Sequence, residues 1–404
     1  MLKFTKKTPQ NTELASLIGK TEGAIRRYKK EDEAEYNKVL KKYKEVNSPF
    51  LTIEEYCDIK NTSEEEMNEK IKNNEVPYTH YIDGNNKSTI FVPSILEDYI
   101  DISNELKLIK PDTKTICISN FKGGVAKTTN SCNIAASLAY LGNRVLLVDA
   151  DVQGNSTIAF GYSREDFKYT LVELITRLLE ETIEDDLKES IINVDINQHF
   201  RNEVLGKLDI LPNSSSSIYL AEDLPSFSRE LGTMENTLKR VLEYVKNDYD
   251  YIIIDMPPRA DLNLRMAIMA SDYLIFSVTP EIFSEKGIPS LVLPVQKQQN
   301  IYKVENKKDF IVLGGINSRV RSNINLHSIT TENSNKQLEN LIGEYNTLFK
   351  TNISELNAIA EAQSGNGAVI FYQPTDKAVK LYFELTLEII ERIFTAETLR
   401  NENN

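Results

Sequence analysis

The feature that most constrains this chain is a short glycine-containing loop between an apolar run and a helical pattern. The loop reads Lys122-Gly123-Gly124-Val125-Ala126-Lys127-Thr128-Thr129. Residues 115–119 before it are rich in isoleucine and threonine, and residues 130–141 after it have helical spacing up to Gly142. A strand, a tight loop and a helix N-terminus bring backbone amides and the helix dipole together, which favours phosphate binding. The sequence therefore predicts a phosphate-binding loop.

Further apolar runs indicate the rest of a sheet. Five runs rich in valine, isoleucine and leucine follow the loop, at residues 144–149, 208–212, 251–255, 273–278 and 310–313. Such runs, separated by helical patterns, predict parallel strands covered by helices on both faces. We expect an α/β fold with a doubly wound, mostly parallel sheet over residues 111–400. The polar stretch 180–201 predicts a surface excursion.

Acidic residues end two of these strands. Asp149 and Asp151 follow the second strand, and Asp255 follows the fourth apolar run. Because the carboxyl ends of parallel strands meet at one edge of the sheet, these carboxylates are expected near the loop. In such a site Lys127 would reach the β- and γ-phosphates and the Thr128 hydroxyl would ligate Mg²⁺. The spacing therefore predicts a magnesium-nucleotide site.

The loop departs from the strict P-loop pattern G-x-x-x-x-G-K-[ST], because Phe121 and Ala126 occupy its glycine positions. It matches the form K-G-G-x-x-K-[ST], which adds a lysine five residues before Lys127. Together with the Asp149–Asp151 segment and the turn after Asp255, the loop resembles the ParA/MinD family of deviant Walker ATPases. The resemblance covers roughly residues 113–395. Ala126 and Val152 replace a glycine and a proline that are common in that family.

The resemblance implies ATP and Mg²⁺ as cofactors and a homodimer that encloses two ATP molecules. Lys122 would reach the partner's phosphates, Asp151 would position the attacking water, and Thr128, Asp149 and Asp255 would support Mg²⁺. The implied catalytic residues are Lys122, Lys127 and Asp151. The implied nucleotide contacts are Lys122, Gly123, Gly124, Val125, Ala126, Lys127, Thr128, Thr129 and Asn317, with Asn317 next to adenine.

The charge of the chain is distributed unevenly. The net charge is −13, which argues against a protein that coats nucleic acid with its whole surface. Residues 1–50 nevertheless carry 12 lysines and arginines against 7 acidic residues, a local charge of +5. Residues 51–110 carry 6 against 13, a local charge of −7. The basic amino-terminal end is therefore the expected place for a specific DNA contact.

Residues 11–30 have the spacing of a helix-turn-helix. A small Ala15, a turn residue Gly19 and an inward Ile25 are the positions that this motif needs. The recognition helix would begin at Thr21. Its predicted DNA-facing side chains are Arg26, Arg27 and Lys29.

The same spacing recurs at Cys57, Asn61 and Met67, followed by a hairpin pattern around Asp83-Gly84. We therefore predict a basic helix-turn-helix segment at 1–47, a winged-helix-like segment at 48–110 and the ATPase domain at 111–400. The acidic charge of the second segment disfavours contact with the phosphates of DNA. One of the two units would then serve dimerisation, and the sequence leaves open which.

Basic pairs in the ATPase half are candidates for non-specific DNA binding. They are Arg319, Arg321, Lys377 and Lys380. The carboxy-terminal pattern 378–394 is amphipathic, but its polar face is rich in glutamate, which favours core packing over a membrane surface. The amino terminus has no apolar signal core, and the three cysteines fit no disulfide or zinc pattern. We expect a cytoplasmic, nucleoid-associated protein with no membrane partner.

These features and the resemblance together indicate a weakly active ATPase that segregates a low-copy plasmid. It would bind non-specific DNA as an ATP-bound dimer, repress its own operon through operator DNA and respond to a ParB-like centromere-binding protein. Two alternatives remain at this point. One is a transcriptional repressor for which ATP is only an allosteric ligand, and the other is a MinD-like positioning ATPase that cycles on a membrane.

Overall fold

A computed structural model describes most of the chain. The described residues are 9–82, 88–178, 183–196, 206–217, 220, 234–258, 262–280, 287–306, 310–321, 325–342 and 347–402.

Three helices form the first unit, residues 11–47. They are α1 (Asn11–Leu17), α2 (Glu22–Glu31) and α3 (Glu33–Asn47). Ala15 and Ile25 are buried between them, and Gly19 has a φ of 63°, the left-handed conformation expected at the turn. The Thr21 hydroxyl accepts a hydrogen bond from the Ala24 amide and begins α2. These positions have the burial and the turn conformation that the spacing predicts, while the helix-turn-helix assignment stays a prediction.

The second unit, residues 50–109, contains a three-stranded antiparallel sheet in the order β1-β3-β2. Its elements are β1 (Phe50–Thr52), α4 (Ile53–Lys60), α5 (Glu64–Lys72), β2 (Thr79–Ile82), β3 (Ser88–Pro93) and α6 (Leu96–Ile109). Cys57 and Met67 are buried, and Asn61 ends α4 in the left-handed conformation. Two helices are followed by the antiparallel pair β2 and β3, and the winged-helix assignment stays a prediction. The Asp83-Gly84 turn lies outside the described residues.

The remaining elements build one large layered domain. Its strands are β4 (Lys114–Ser119), β5 (Arg144–Asp149), β6 (Ile192–Val194), β7 (Lys207–Leu211), β8 (Tyr251–Asp255), β9 (Tyr273–Val278), β10 (Ile311–Val320) and β11 (Ile353–Ser354). The helices are α7 (Lys127–Tyr140), α8 (Asn155–Ala159), α9 (Leu171–Arg177), α10 (Glu184–Ser190), α11 (Thr237–Glu243), α12 (Leu262–Ala270), α13 (Gly287–Asn306), α14 (Asn325–Ile342), α15 (Asn357–Ala362), α16 (Val369–Tyr372) and α17 (Lys377–Glu402).

The eight strands lie in the order β11-β10-β9-β4-β8-β5-β7-β6. All neighbouring pairs are parallel except β6 with β7. The central strands are buried along their whole length, as the continuous apolar runs predict. Two hydrophobic clusters cover the two faces of the sheet. This is the predicted doubly wound, mostly parallel sheet.

One prediction about the sheet is wrong. The stretch 180–201 was expected to be a surface excursion, but it contains α10 and the edge strand β6. In β6 only Ile192 and Val194 are buried, and the Asn193 side chain donates a hydrogen bond to Asp209 at 2.8 Å. A three-residue strand is too short to show a periodic pattern, so tertiary pairing decides its structure.

The second unit is not separate from the large domain. Phe50 packs edge-on against Tyr140 of α7 and Phe383 of α17, with ring centroids 5.4 and 5.5 Å apart. Residues of β1, β3 and α6 belong to the same hydrophobic cluster as one face of the main sheet. The predicted boundary near residue 110 therefore marks a change of secondary structure, while the hydrophobic core continues across it.

Helix α17 is a core element of the large domain. Its buried face includes Phe383, Ile389 and Ile393, and Glu388 accepts hydrogen bonds from the amides of Lys350 and Thr351. Core packing of this segment is confirmed. Among the described residues, no helix combines the length and apolar character needed to cross a bilayer.

Candidate functional site

The glycine-containing loop leaves β4 and leads into α7 through two left-handed residues. Gly124 has a φ of 75° and Ala126 a φ of 65°. No atom lies within 4 Å of the position that a Cβ would take at Gly123 or Gly124, so this part of the loop faces open space. Ala126 is the N-cap of α7, and the left-handed conformation costs an L-residue about 1–2 kcal/mol. The loop thus keeps a strained shape that presents a helix N-terminus to the open space.

The two lysines of the loop differ in exposure. The Lys127 side chain is 6% exposed, and its Nζ donates a hydrogen bond to the Lys122 carbonyl oxygen at 3.0 Å. Burial lowers the pKa of Lys127, which the nearby carboxylates Asp255 and Asp151 partly oppose. Lys122 is exposed, while its backbone amide is fixed by the Asn120 side chain at 2.9 Å. Lys127 is therefore preorganised inside the loop, whereas Lys122 projects from a fixed backbone position.

Two carboxylates are completely buried beside the start of α7. Asp149 of β5 and Asp255 of β8 are directly paired across the parallel sheet. Asp149 accepts hydrogen bonds from the amide and hydroxyl of Thr157 at 2.9 and 2.8 Å. Asp255 accepts from the hydroxyls of Ser131 at 3.0 Å and Ser156 at 2.6 Å.

The electrostatics of this pair are unfavourable without a cation. Burial, followed by the charge of Asp255, raises the pKa of Asp149 to about 8. Burial also raises the pKa of Asp255, although hydrogen bonds from Ser156, Thr128 and Ser131 oppose the shift. Buried carboxylates normally pair with a cation or coordinate a metal. The arrangement therefore suits a small hard cation next to the Thr128 hydroxyl.

Asp151 is held at the edge of the same site. Its Oδ1 accepts a hydrogen bond from the Gln153 amide and its Oδ2 from the Asn155 side chain, both at 3.0 Å. The carboxylate is only 6% exposed, yet Asp151 lines the main cavity. A carboxylate fixed by two donors beside a phosphate-binding loop can orient a water molecule.

A cavity of about 1140 Å³ is lined by Lys127, Thr128 and Asp151, whereas Lys122, Asp149 and Asp255 are not among its lining residues. Residues 123–129 form one wall, and Asp151 and Pro257 belong to other parts of its lining. Ligand pockets commonly measure about 300–1000 Å³, so the space is ample for a nucleotide. The structure thus brings together Lys127, Thr128, Asp151 and the loop glycines at one cavity.

Three predicted residues have other surroundings. Asn317 is completely buried and does not line the cavity; its amide donates to Thr331 and Asn352, its Oδ1 has no hydrogen-bond partner among the described residues, and its adenine contact stays a prediction. Arg319 and Arg321 do line the cavity. Arg319 donates to the Gly124 carbonyl oxygen at 3.1 Å, and both arginines are close to Glu355.

The predicted DNA contacts also differ in exposure. Lys380 is 7% exposed, and its Nζ lies 2.9 Å from the Ser94 hydroxyl, so it is a buried interdomain contact rather than a DNA-facing lysine. The sequence predicts Lys380 as a DNA contact beside Lys377, but the second unit covers it. The remaining predicted contacts are exposed, namely Thr21, Arg26, Arg27, Lys29 and Lys377.

Several supporting residues were not predicted. Ser131 lies four residues after Lys127 on the inward face of α7, a helical spacing that could have revealed it. Ser156 and Thr157 follow the acidic segment at the start of α8, where hydroxyl groups are within reach of the strand ends. Asn155 holds Asp151, a contact that depends on the local turn and has no sequence signal of its own.

Comparison with known proteins identifies the family. A family model described as an AAA domain matches residues 113–312. The sporulation initiation inhibitor protein Soj of Bacillus subtilis is 33% identical over 280 residues, which are 68% of this chain and 98% of Soj. A virulence plasmid ParA family protein of Chlamydia psittaci is 29% identical over 72% of this chain and 99% of the relative. The chain belongs to the ParA/Soj family of ATPases.

Solved structures share the fold of this ParA/Soj chain. A Cyanothece McdA structure in complex with ATP gives a TM-score of 0.54 at 20% identity, covering 69% of this chain and 96% of McdA. Cobyrinic acid a,c-diamide synthase of Mycobacterium smegmatis gives 0.52 at 22% identity, covering 68% and 92%. The predicted P-loop α/β fold and the predicted family are confirmed.

The strained loop of this family member gives a testable prediction. Ala126→Gly should leave the free energy of unfolding unchanged or raise it by up to about 1.5 kcal/mol. Relief of the left-handed conformation, about 1–2 kcal/mol, exceeds the extra unfolded-state entropy of glycine, about 0.4–1 kcal/mol. Urea denaturation measures the change. The control Ala396→Gly, inside α17, should cost about 1 kcal/mol; equal losses in both variants would contradict the strain.

Proposed function

We propose that this chain is a Mg²⁺-ATP-dependent partition ATPase that segregates a low-copy DNA element, most specifically a plasmid. The observation that carries the proposal is the buried Asp149–Asp255 pair beside Lys127 and Thr128, with Asp151 fixed on the same cavity. Membership of the ParA/Soj family supports it. So does the name of a relative 28% identical over 69% of this chain, the chromosome partitioning protein ParA of Myxococcus xanthus.

The residues present fit a magnesium ion that arrives with its nucleotide. Among the described residues, no group of three or more histidine, cysteine or acidic side chains could hold a metal alone. Mg²⁺ commonly takes one or two carboxylates together with phosphate oxygens and water. Thr128, Asp149 and Asp255 would hold it here. When bound, the ion would neutralise negative charge on the phosphates and on the buried carboxylates.

The loop and its lysines would supply the rest of the phosphate site. The backbone of residues 122–129 and the N-terminus of α7 would bind the phosphates, and Lys127 would add a positive charge next to them. Asp151 would orient the water that attacks the γ-phosphate. Because phosphoryl transfer depends mainly on positioning and charge neutralisation, these groups suffice for hydrolysis. We expect slow intrinsic turnover.

The exposed position of Lys122 supports a contact across a dimer interface. It is exposed, on a backbone that Asn120 fixes, five residues before the buried Lys127. We propose that it reaches the phosphates of a second copy, so that ATP closes a homodimer. The closed dimer would bind non-specific DNA and associate with the nucleoid in the cytoplasm. A ParB-like centromere-binding protein would stimulate hydrolysis and release it.

Operator binding is proposed for the first unit. Helix α2 exposes Arg26, Arg27 and Lys29, and Thr21 begins it. In contrast, α5 of the second unit begins with three glutamates. Phosphate contacts need positive charge, so the first unit is the better candidate for repression of the operon. Lys377 is exposed on α17 and is a candidate for non-specific DNA contact.

Asp151→Ala tests the enzymatic part of the proposal. Steady-state turnover should fall roughly 100-fold or more, since water positioning is lost. ATP affinity, measured with a fluorescent analogue, should change only a few fold. The exposed Asp112→Ala is the matched control and should have neither effect. If the wild type binds ATP without any turnover, the nucleotide is an allosteric ligand and the repressor alternative replaces the ATPase.

Lys122→Gln tests the dimer and its DNA binding. The wild type should bind random-sequence duplex DNA with ATP and much more weakly with ADP, and the affinity should fall steeply with salt. Lys122→Gln should lose the ATP-dependent part because the partner's phosphates lose their counter-charge. Lys336→Gln removes an exposed lysine on α14 and should behave as the wild type. Binding indifferent to nucleotide would contradict the segregation role.

A further inference from the structure

Tyr382 connects the back of the nucleotide cavity to the phosphate loop. It lies on α17, is 1% exposed and belongs to the cavity lining. Its hydroxyl donates a hydrogen bond to Asn130 Oδ1 at 3.0 Å. Burial raises the pKa of Tyr382, so the hydroxyl stays protonated and remains a donor. Asn130 lies three residues after Lys127, in the first turn of α7.

The hydrogen bonds continue from Asn130 to the loop backbone. The Asn130 amide donates to the hydroxyls of Ser277 on β9 and Ser318 on β10, both at 2.9 Å. The Ser277 hydroxyl in turn donates to the Val125 carbonyl oxygen inside the loop. All these side chains are buried. The Tyr382 hydroxyl is thus linked to the phosphate loop by a buried chain of hydrogen bonds.

The same turn of α17 holds the second unit. Lys380, two residues before Tyr382, donates to the Ser94 hydroxyl at 2.9 Å. Phe383, one residue after it, packs edge-on against Phe50 with ring centroids 5.5 Å apart. Three residues within one turn of the helix therefore contact the nucleotide site or the second unit. Helix α6 also packs against α17.

The cost of breaking buried hydrogen bonds favours the transfer of a displacement from α7 through this turn of α17 to the second unit. A buried polar group that loses its partner costs about 1–3 kcal/mol, so neither Asn130 nor Lys380 can shift alone without a penalty. A ligand that repositions the first turn of α7 must therefore move α17 or break the chain of hydrogen bonds. In a close-packed interface, a displacement of α17 is passed to whatever packs on it.

We propose that Tyr382 is a positioning residue that couples occupancy of the nucleotide site to the second unit. The proposal rests on the ATP binding proposed above and adds the route by which the second unit responds to it. The coupling is reciprocal, since two linked binding equilibria must influence each other by the same factor. Contacts between the second unit and α17 therefore also set the affinity for ATP.

Hydrogen exchange of the full-length chain, followed by mass spectrometry with and without Mg²⁺-ATP, tests the coupling. In the wild type, ATP should slow amide exchange in the phosphate loop and also in α6, the latter by roughly fivefold or more. Tyr382→Phe removes one buried hydroxyl. It should retain the ATP effect in the loop and lose it in α6.

Tyr372→Phe is the matched control, because its hydroxyl bonds to the Glu361 carboxylate and the Gln373 side chain, neither of which belongs to the Tyr382–Asn130 chain of hydrogen bonds. It should behave as the wild type. An ATP effect in the loop but not in α6 of the wild type would overturn the coupling while leaving the nucleotide site intact. The same would follow if Tyr382→Phe retained the effect in α6. No ATP effect in the loop would instead overturn the proposed function, and the coupling with it.

Lys380→Met tests the route from its other end and does not alter the nucleotide cavity. Loss of the Ser94 contact should change ATP affinity roughly fivefold, measured with a fluorescent analogue. A purely structural role would lower the thermal midpoint and leave ATP affinity unchanged, and that result would overturn the proposal. This variant also tests the coupling between the nucleotide site and the second unit if Tyr382→Phe fails to fold.

Discussion

The whole site depends on two fully buried carboxylates placed side by side on neighbouring parallel strands. Asp149 and Asp255 end β5 and β8 in direct register. Their burial and mutual repulsion raise the pKa of Asp149 to about 8. Surrounding hydroxyl groups and Lys127 offset part of this cost. The fold thus stores unfavourable electrostatics at one point, and a metal-bound nucleotide is the ligand that would relieve them.

The helices around this pair form part of the nucleotide site and also connect it to the second unit. Helix α7 starts at the phosphate loop and ends at Tyr140, whose ring meets Phe50 of the second unit. Helix α17 packs against α7 and holds the second unit through Lys380 and Phe383. Because both helices contact the nucleotide site and the second unit, the second unit and the ATPase domain share one core, while the first unit has a hydrophobic cluster of its own.

The sequence predicted those features of the fold and the site that depend on a local residue pattern. Continuous apolar runs predicted the central strands. The residues that follow these runs indicated the phosphate-binding loop and the carboxylates close to it. What it could not predict depends on tertiary contacts. The strand β6 is too short to show a period, and Lys380 is covered by the second unit. A polar residue on an amphipathic helix can face another domain as readily as solvent, and no spacing distinguishes the two.

The Mg²⁺ dependence of ATP affinity, compared between the wild type and Asp255→Asn, tests the central claim most directly. Mg²⁺ should strengthen ATP binding to the wild type by about tenfold or more, because it compensates the buried carboxylates. In Asp255→Asn the gain should disappear. The nucleotide-free variant should also be at least as stable as the wild type at neutral pH. A carboxyl whose folded pKa is raised destabilises the folded state above its unfolded pKa, and the amide removes that charge. An equal gain from Mg²⁺ in both proteins would contradict the account.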